Sequence, residues 1–301
     1  MRHPSLAGLV VSLTIAGPSV LVAQPGTRVE TAVSAPAPAP AAKSRFTLFN
    51  PTPWAQAREL STDRPDMTES PYTVPAGRVQ FEIDVVNYTR DVSGVGSART
   101  RTESLALAPV NMKVGLLHNL DIQLVVETFV RDRERVLTAN TAASSSRVGE
   151  ITGRAKLNLW GNDGGKTAFG LMPFVSFVPG ALGGRYANAG LIVPLAVDLG
   201  GGFGLGTMAE FDLEKNEASG RYHTVFVNSI TVGRDLTENV GAYLEFFSAA
   251  STESGAGWVR TLNAGMTRGI GSNVQLDLGA NIGLSRVADD FNPFLGLSFR
   301  F

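Results

Sequence analysis

The sequence predicts an all-β fold, a transmembrane antiparallel β-barrel of about 12 strands with both termini in the periplasm. Three observations carry this. Apolar residues recur at every second position through the C-terminal three quarters of the chain, tight turns alternate with longer polar connections, and the final strand stops on an aromatic residue.

Composition first narrows the field. The chain has 301 residues, 26 Lys+Arg against 27 Asp+Glu, 44% hydrophobic residues, 33 Gly, 16 Pro and no Cys. With no basic excess to neutralise phosphates, nucleic acid is not an expected partner. Without Cys there is no disulfide framework, thiolate metal site, Cys nucleophile or lipidated N-terminal Cys. Metal chemistry would rest on His3, His118, His223 and carboxylates, and neither a metal nor a cofactor is expected.

Residues 1–23 read as a secretory signal peptide: a basic start at Met1 to His3, an apolar Leu6 to Val22, and Ala23 before Gln24-Pro25. Residues 24–45 form a Pro/Ala-rich flexible linker, since the Pro/Ala tract from Ala32 to Ala42 cannot bury a core. Residues 46–76 are a polar N-terminal segment and the candidate plug, and 77–301 form the barrel. After residue 45 no run of about 18 uncharged apolar residues occurs, which excludes membrane-spanning helices.

Period two replaces them. Ile151, Gly153, Ala155, Leu157 and Leu159 alternate with Thr152, Arg154, Lys156, Asn158 and Trp160, so small and apolar residues take one strand face. Leu276, Leu278, Ala280, Ile282 and Leu284 alternate in the same way with Gln275, Asp277 and Asn281. Such runs place strands over 77–90, 102–116, 120–131, 148–160, 166–178, 188–199, 203–214, 222–234, 239–250, 257–269, 273–285 and 293–301. The run at 166–178 has an apolar residue on both faces, and the run at 222–234 shows no firm parity. Connections after the even-numbered runs are tight, as at His118-Asn119, Gly200-Gly201-Gly202 and Gly271-Ser272, while those after the odd-numbered runs are mostly longer, Arg131 to Arg147 most of all.

Soluble barrels and sandwiches also alternate. The runs here are longer than ordinary globular strands and long enough to cross a bilayer at a tilt, and charges fall opposite the apolar face, giving an oily outside. Trp258 with Arg260 and Arg268 suits interfacial anchoring. At the end of the chain Leu295, Leu297, Phe299 and Phe301 alternate with Phe294, Gly296, Ser298 and Arg300. This closing strand is similar to those of bacterial outer-membrane proteins, which implies recognition by the barrel assembly machinery.

A family resemblance runs along the same stretch. Ser61-Thr62-Asp63-Arg64-Pro65-Asp66-Met67-Thr68-Glu69-Ser70-Pro71-Tyr72 with Val74-Pro75-Ala76-Gly77, then Lys156-Leu157-Asn158-Leu159-Trp160-Gly161-Asn162-Asp163-Gly164, and Ala288-Asp289-Asp290-Phe291-Asn292-Pro293-Phe294 resemble the outer-membrane transporter family named for the meta pathway of phenol degradation. The resemblance implies transport of small, often aromatic compounds, and carries over no catalytic or ligand motif.

On these parities the lumen receives Glu82, Asp84, Glu127, Glu210, Asp212, Glu245 and Asp277, against Lys113, Arg154, Lys156 and Arg300. One reading makes them structural cross-strand pairs, such as Glu127 with Arg154 or Lys156 and Arg300 with Glu82 or Asp84. The other has some of them line a narrow polar path. The polar segment is expected to enter the periplasmic mouth, where Asp63, Arg64, Asp66 and Glu69 would meet lumen charges.

An outer-membrane hydrolase is the competing class. Its His must reach a partner, yet His118 lies in a predicted turn and His223 near the opposite rim, beside Glu217 or Ser219. No G-x-S-x-G elbow or H-E-x-x-H helix occurs, so no catalytic residue is expected. Gly204-x-Gly206-x-x-Ala209 matches a dinucleotide fingerprint, but strand rather than helix follows it. Asp289-Asp290 with Asn292 lacks the spaced ligand set of a calcium loop. The reading is therefore a barrel in lipid passing small organic solutes without ATP, with a non-transporting structural or partner-binding barrel as the alternative.

Overall fold

A computed structural model describes residues 43–94, 99–179, 187–216 and 219–301. The expected signal peptide and residues 24–42 of the linker lie outside these. The described strands are β1 (Val79–Ser93), β2 (Thr100–Leu107), β3 (Val110–Leu117), β4 (Leu120–Val126), β5 (Phe129–Val136), β6 (Thr141–Arg147), β7 (Ile151–Trp160), β8 (Thr167–Phe177), β9 (Asn188–Gly200), β10 (Phe203–Lys215), β11 (Tyr222–Thr237), β12 (Val240–Ser251), β13 (Val259–Ile270), β14 (Val274–Gly283) and β15 (Phe291–Arg300). All pair antiparallel with their neighbours, and β1 pairs with β15 from Gln80↔Arg300 to Arg90↔Phe291, which closes the sheet. The closed ring runs β1-β3-β4-β7 and then β8 to β15 in order, twelve strands in all.

Closure removes every sheet edge from the ring, so the backbone groups crossing the hydrocarbon are satisfied within the protein. Period two then separates the faces. Leu244, Leu278, Ile282, Phe211 and Leu213 are exposed on the outside, while Lys113, Lys156, Glu245, Asn263, Asp277 and Ser298 are buried inside. The tight turns gather at one end. Gly200, Gly201 and Gly202 have φ of 77°, 64° and 77°, a left-handed run that a Cβ would strain, and this reverses β9 into β10. Trp160 stacks on Phe169 at 4.7 Å near that end, and Trp258 lies under Arg260, 5.2 Å from its ring centroid, near the other; both fit interfacial girdles.

Three predicted strands are interrupted. The run at 102–116 is split into β2 and β3 at Ala108-Pro109, where Ala108 has φ of 49° and Pro109 has no N–H to donate. The run at 120–131 is split into β4 and β5 at Glu127-Thr128, and 148–160 starts as β7 only at Ile151. The expected long loop from Arg131 to Arg147 is instead the β5–β6 hairpin. Its density of charge reads as loop, but its length continues the barrel wall as a four-stranded β1-β2-β5-β6 sheet.

Trp160 also departs from the alternation, which grouped it with Arg154, Lys156 and Asn158. A register shift between Asn158 and Trp160 turns it outward, where it is exposed. The two ambiguous runs resolve. β8 turns Ala168, Met172 and Ser176 inward, and β11 turns Val227, Ser229 and Thr231 inward.

Candidate functional site

The N-terminal segment runs inside the ring. It starts at the tight-turn end, where Lys43 pairs with Asp163 at 2.8 Å and Arg58 donates to the His118 carbonyl at 2.7 Å. Residues 61–70 then bend into a closed loop across the barrel, tied by Ser61 Oγ to Ser70 Oγ at 3.0 Å and by the Ser70 amide donating to Asp63 at 3.0 Å. The return limb is held by the Val74 amide on Asp121, 2.9 Å, and by Asn158 Nδ2 on the Pro71 carbonyl, 2.9 Å.

Charges meet along this loop. Asp63 is paired with both Lys113 and Lys156, and Lys113 also with Glu82. Arg64 is paired with Asp84, and with Asp277 at 2.7 Å. Glu69 takes Arg154 at 2.5 Å. Thr68, at the tip, donates to Glu245 Oε1 at 2.6 Å and shares hydrogen bonds with the Ser229 and Thr231 hydroxyls, 2.6 and 2.8 Å away. Asn263 donates to the other Glu245 oxygen at 2.7 Å. Isolated ions this deeply placed would be costly, so their reciprocal placement is what allows them to be charged.

The cross-strand pairs expected from the sequence are not formed. Glu127 accepts the Glu150 amide at 2.9 Å, whereas Arg154 and Lys156 turn to Glu69 and Asp63. Arg300 donates to Asn273 at 2.9 and 3.0 Å and to the Glu59 carbonyl at 3.3 Å, whereas Glu82 and Asp84 take Lys113 and Arg64. The crossing segment brings its own opposite charges closer to these groups than the neighbouring strands can. Glu210 and Asp212 face the interior without an ion pair among the described residues, Glu210 nearest Arg154, and the Asp212 Oδ1 is buried without a hydrogen-bond partner.

Electrostatics differ along the loop. Burial opposes ionisation of Asp63, but Lys113 and Lys156 outweigh it and hold the carboxyl well below the usual range. Asp66 has no such cation. Burial, reinforced by the Glu245 charge, pushes it up to about 8, with the Thr231 hydroxyl acting the other way.

Beyond the loop tip an apolar cluster fills the inward side of β8 to β11. Met172, Ile192, Met208 and Val227 are buried together on β8 to β11, with Phe174, Val225, Phe247 and Ala249 packed against them. The Glu69 amide lies 3.4 Å from the Met208 sulfur, which joins this cluster to the loop. On the tight-turn side a cavity of about 670 Å³ opens between the loop and β9 to β13, lined by residues such as Asp66, Glu69, Leu195, Phe203, Arg234 and Tyr243.

Glu245 and the apolar residues on both faces of the 166–178 run were legible in the sequence, whereas Asp121, the Ser229 and Thr231 hydroxyls around Glu245, and the Ile192, Met208 and Val227 part of the apolar cluster were not singled out. The available signal was small residues at inward positions. A Cβ on Gly296 would lie 2.2 Å from Arg64 Nη2, and one on Gly115 would lie 2.2 Å from the Pro75 carbonyl oxygen. His118 and His223 stay apart: His118 contributes its carbonyl to the segment, and the His223 imidazole lies 3.5 Å from Glu214 and 3.9 Å from Glu253. Glu217 lies outside the described residues.

Residues 62–301 match the model of the family described as "Putative MetA-pathway of phenol degradation". Among curated proteins no match is found. Among solved structures, the COG4313 outer membrane channel from Pseudomonas putida F1 is similar at 12% identity and TM-score 0.54, over 80% of this chain and 100% of that one. The NanC porin is similar at 9% identity and TM-score 0.48, over 73% and 98%. The Ralstonia pickettii toluene transporter TbuX is similar at 11% identity and TM-score 0.42, over 74% and 89%.

Proposed function

The chain belongs to the family described as "Putative MetA-pathway of phenol degradation", and from that premise we propose that this outer-membrane β-barrel is a passive channel for small organic solutes, aromatic ones among them. The observation that carries the reading is the apolar cluster on the inward side of β8 to β11, where Met172, Ile192, Met208 and Val227 are buried with Phe174 and Phe247 packed against them. An apolar inner wall beyond a polar loop suits a solute that is itself apolar.

The route runs from the long-loop mouth along this cluster, past the Thr68–Ser229–Thr231–Glu245 contact, into the cavity between the loop and β9 to β13. The tight-turn end, which carries both Lys43 and the C-terminal Phe301, faces the periplasm. Residues 46–76 are the plug: Asp63, Arg64 and Glu69 fasten it to the wall, and Thr68 closes the side nearest the apolar cluster. Glu82, Asp84, Lys113, Arg154, Lys156, Glu245 and Asp277 hold the plug rather than contact solute, while Glu210 and Asp212 stand at the mouth above it. No step needs a nucleophile, a metal or a nucleotide.

A second reading has a specific observation behind it. The loop is tied to several parts of the ring, through Asp63 to β3 and β7, Arg64 to β1 and β14, and Thr68 to β12, which suits a permanently closed structural barrel. Conductance of the refolded mature protein in a planar bilayer, beside a variant lacking the residues before Tyr72, separates the two. Discrete openings in the intact protein support the channel, openings only after truncation identify the N-terminal segment as the plug and favour the closed barrel, and silence in both refutes the channel.

A further inference from the structure

We propose that the outward face of the β1-β2-β5-β6 sheet is a binding surface for the phosphorylated glycolipid headgroups of the outer leaflet. Cross-strand pairing puts Arg90, Glu103, Arg133 and Ser144 in one row, and Val92, Arg101, Arg135 and Ala142 in the next. One row nearer the ring stand Tyr88, Leu105, Arg131 and Ser146. Residues paired across strands share a face. Val86, Leu107 and Phe129 continue this face downward, and Val86 pairs with outward Leu295. The five arginines therefore point away from the barrel axis, toward lipid.

Their surroundings make this a recognition surface rather than a solvated wall. Against five arginines the face presents one acid, Glu103, which already accepts the Tyr88 hydroxyl at 2.9 Å. The other acid engaged in the sheet, Asp132, is on the inner face, where it takes Ser104 at 2.7 Å and Arg147 at 3.3 Å. Among the described residues none of the five arginines is in an ion pair, and the Nε of Arg101 is buried without a hydrogen-bond partner. Unpaired guanidinium groups stacked on one face offer forked donors that match phosphate oxygens.

Height selects the occupant. Phe129 and Leu107 are the last exposed apolar residues on this face. Arg131, Arg133 and Arg135 follow at two-residue steps, or roughly 7, 13 and 20 Å further along a strand before tilt. That range spans the layer just above the acyl chains, where lipid phosphates lie. At this end of the barrel the leaflet in contact is the outer one, so the phosphates are those of its glycolipid. The inference rests on the proposed orientation, which a separate measurement tests. The chain has no Cys, so Ala143→Cys, exposed on β6 and paired with Glu134 on the face away from the arginines, gives a unique site for a membrane-impermeant maleimide on whole cells; labelling only after permeabilisation would overturn the orientation itself.

The test uses the full mature protein in detergent micelles, titrated with diphosphoryl lipid A, its dephosphorylated form and phosphatidylglycerol, reading the shift in the heat-modifiability midpoint. The expected result is a dose-dependent rise with diphosphoryl lipid A alone. In R131Q/R133Q/R135Q the apparent dissociation constant should rise about a hundredfold, as three cationic contacts at an anionic lipid surface require, and R131K/R133K/R135K should recover part of it. Folding is checked by wild-type heat-modifiable migration without lipid, and if the triple variant fails this check, R133Q alone carries the test with a smaller loss. An equal rise with the dephosphorylated lipid or with phosphatidylglycerol, or an unchanged response in the Gln variants, would overturn the proposal.

Discussion

The Arg64 guanidinium lies along the Asp277 carboxylate, Nη2 2.7 Å from Oδ1 and Nε 3.3 Å from Oδ2, although 213 positions separate the two residues. Its remaining Nη1 reaches Asp84, and its face covers the Phe294 ring at 5.6 Å. One side chain of the inner segment thus fastens β1, β14 and β15 together, in space left open by Gly296. Removing it leaves the Asp84 and Asp277 carboxylates without their shared cation.

Arg64→Ala is therefore expected to destabilise the protein by about 3 kcal/mol, the scale seen when one partner of a buried ion pair is removed. It should also increase conductance, because the loop loses its hold on that wall. Gly296→Ala tests the same contact from the other side, since its Cβ would displace the guanidinium without touching the charge. Heat-modifiable migration against temperature reads the first effect, and bilayer recording the second. Wild-type behaviour in both variants would show that Arg64 does not hold the loop.

The loop should respond to pH at both ends of the range. Asp63 has its folded pKa lowered by Lys113 and Lys156, so its stabilising contribution is present above the ordinary carboxylate range and is lost as pH falls below it. Asp66 has its folded pKa raised to about 8, so the folded state binds the extra proton. That contribution is full below the unfolded pKa and is lost as pH rises through about 8. Above that point Asp66 becomes an anion against Glu245 and near Asp63, with Thr231 as its hydrogen-bond partner. Conductance should rise between pH 7 and 9 in the wild type and be flat there in Asp66→Asn. An equal rise in Asp66→Asn would assign the alkaline response to another group.

The barrel was legible because lipid outside and charge inside impose opposite chemistry on alternate residues, as Leu276, Leu278 and Ile282 show against Gln275 and Asp277. The same rule failed at Trp160, where one extra residue in the strand reverses the face, and at β5–β6, where charged sheet above the membrane has no lipid to enforce an apolar face. That Asp63, Arg64 and Glu69 would meet lumen charges was legible, but which partner each would take was not. Period two tells which face Glu82 and Arg300 occupy, but it carries no information about a segment running between the walls. The nearest clue was the pair Asp63-Arg64, two opposite charges side by side in a stretch too short to bury them by itself. Inward glycines such as Gly115 and Gly296 mark where that segment would pass.

Removing the residues before Tyr72 should leave a cation-selective pore. The ring would then expose Glu82, Asp84, Asp121, Glu210, Asp212, Glu245 and Asp277 against Lys113, Arg154, Lys156 and Arg300, since Asp63, Arg64, Asp66 and Glu69 leave together. An excess of carboxylates along a narrow wall concentrates cations. Reversal potentials under a potassium chloride gradient measure this directly. Asp277→Asn in the truncated protein should reduce the preference and Lys113→Gln should increase it. Anion preference in the truncated pore would mean that the inward carboxylates do not set its field.

At the closing seam Phe301 completes the pairing with β1. Its amide donates to the Val79 carbonyl at 2.9 Å, and its own carbonyl accepts the Val79 amide at 3.0 Å. Its ring, exposed to lipid, stacks with Phe81 at 5.9 Å, and Phe299 stacks with Phe81 at 5.4 Å. Deleting Phe301 removes the last backbone rung and the outward aromatic together, whereas Phe301→Ala removes only the ring. If Leu295, Leu297, Phe299 and Phe301 form the strand that the assembly machinery reads, both variants should lower the heat-modifiable protein in the outer-membrane fraction severalfold while still refolding from urea into detergent. A defect confined to the deletion, in both cells and detergent, would instead assign Phe301 to seam stability. Normal amounts of both in the outer membrane would remove it from either role.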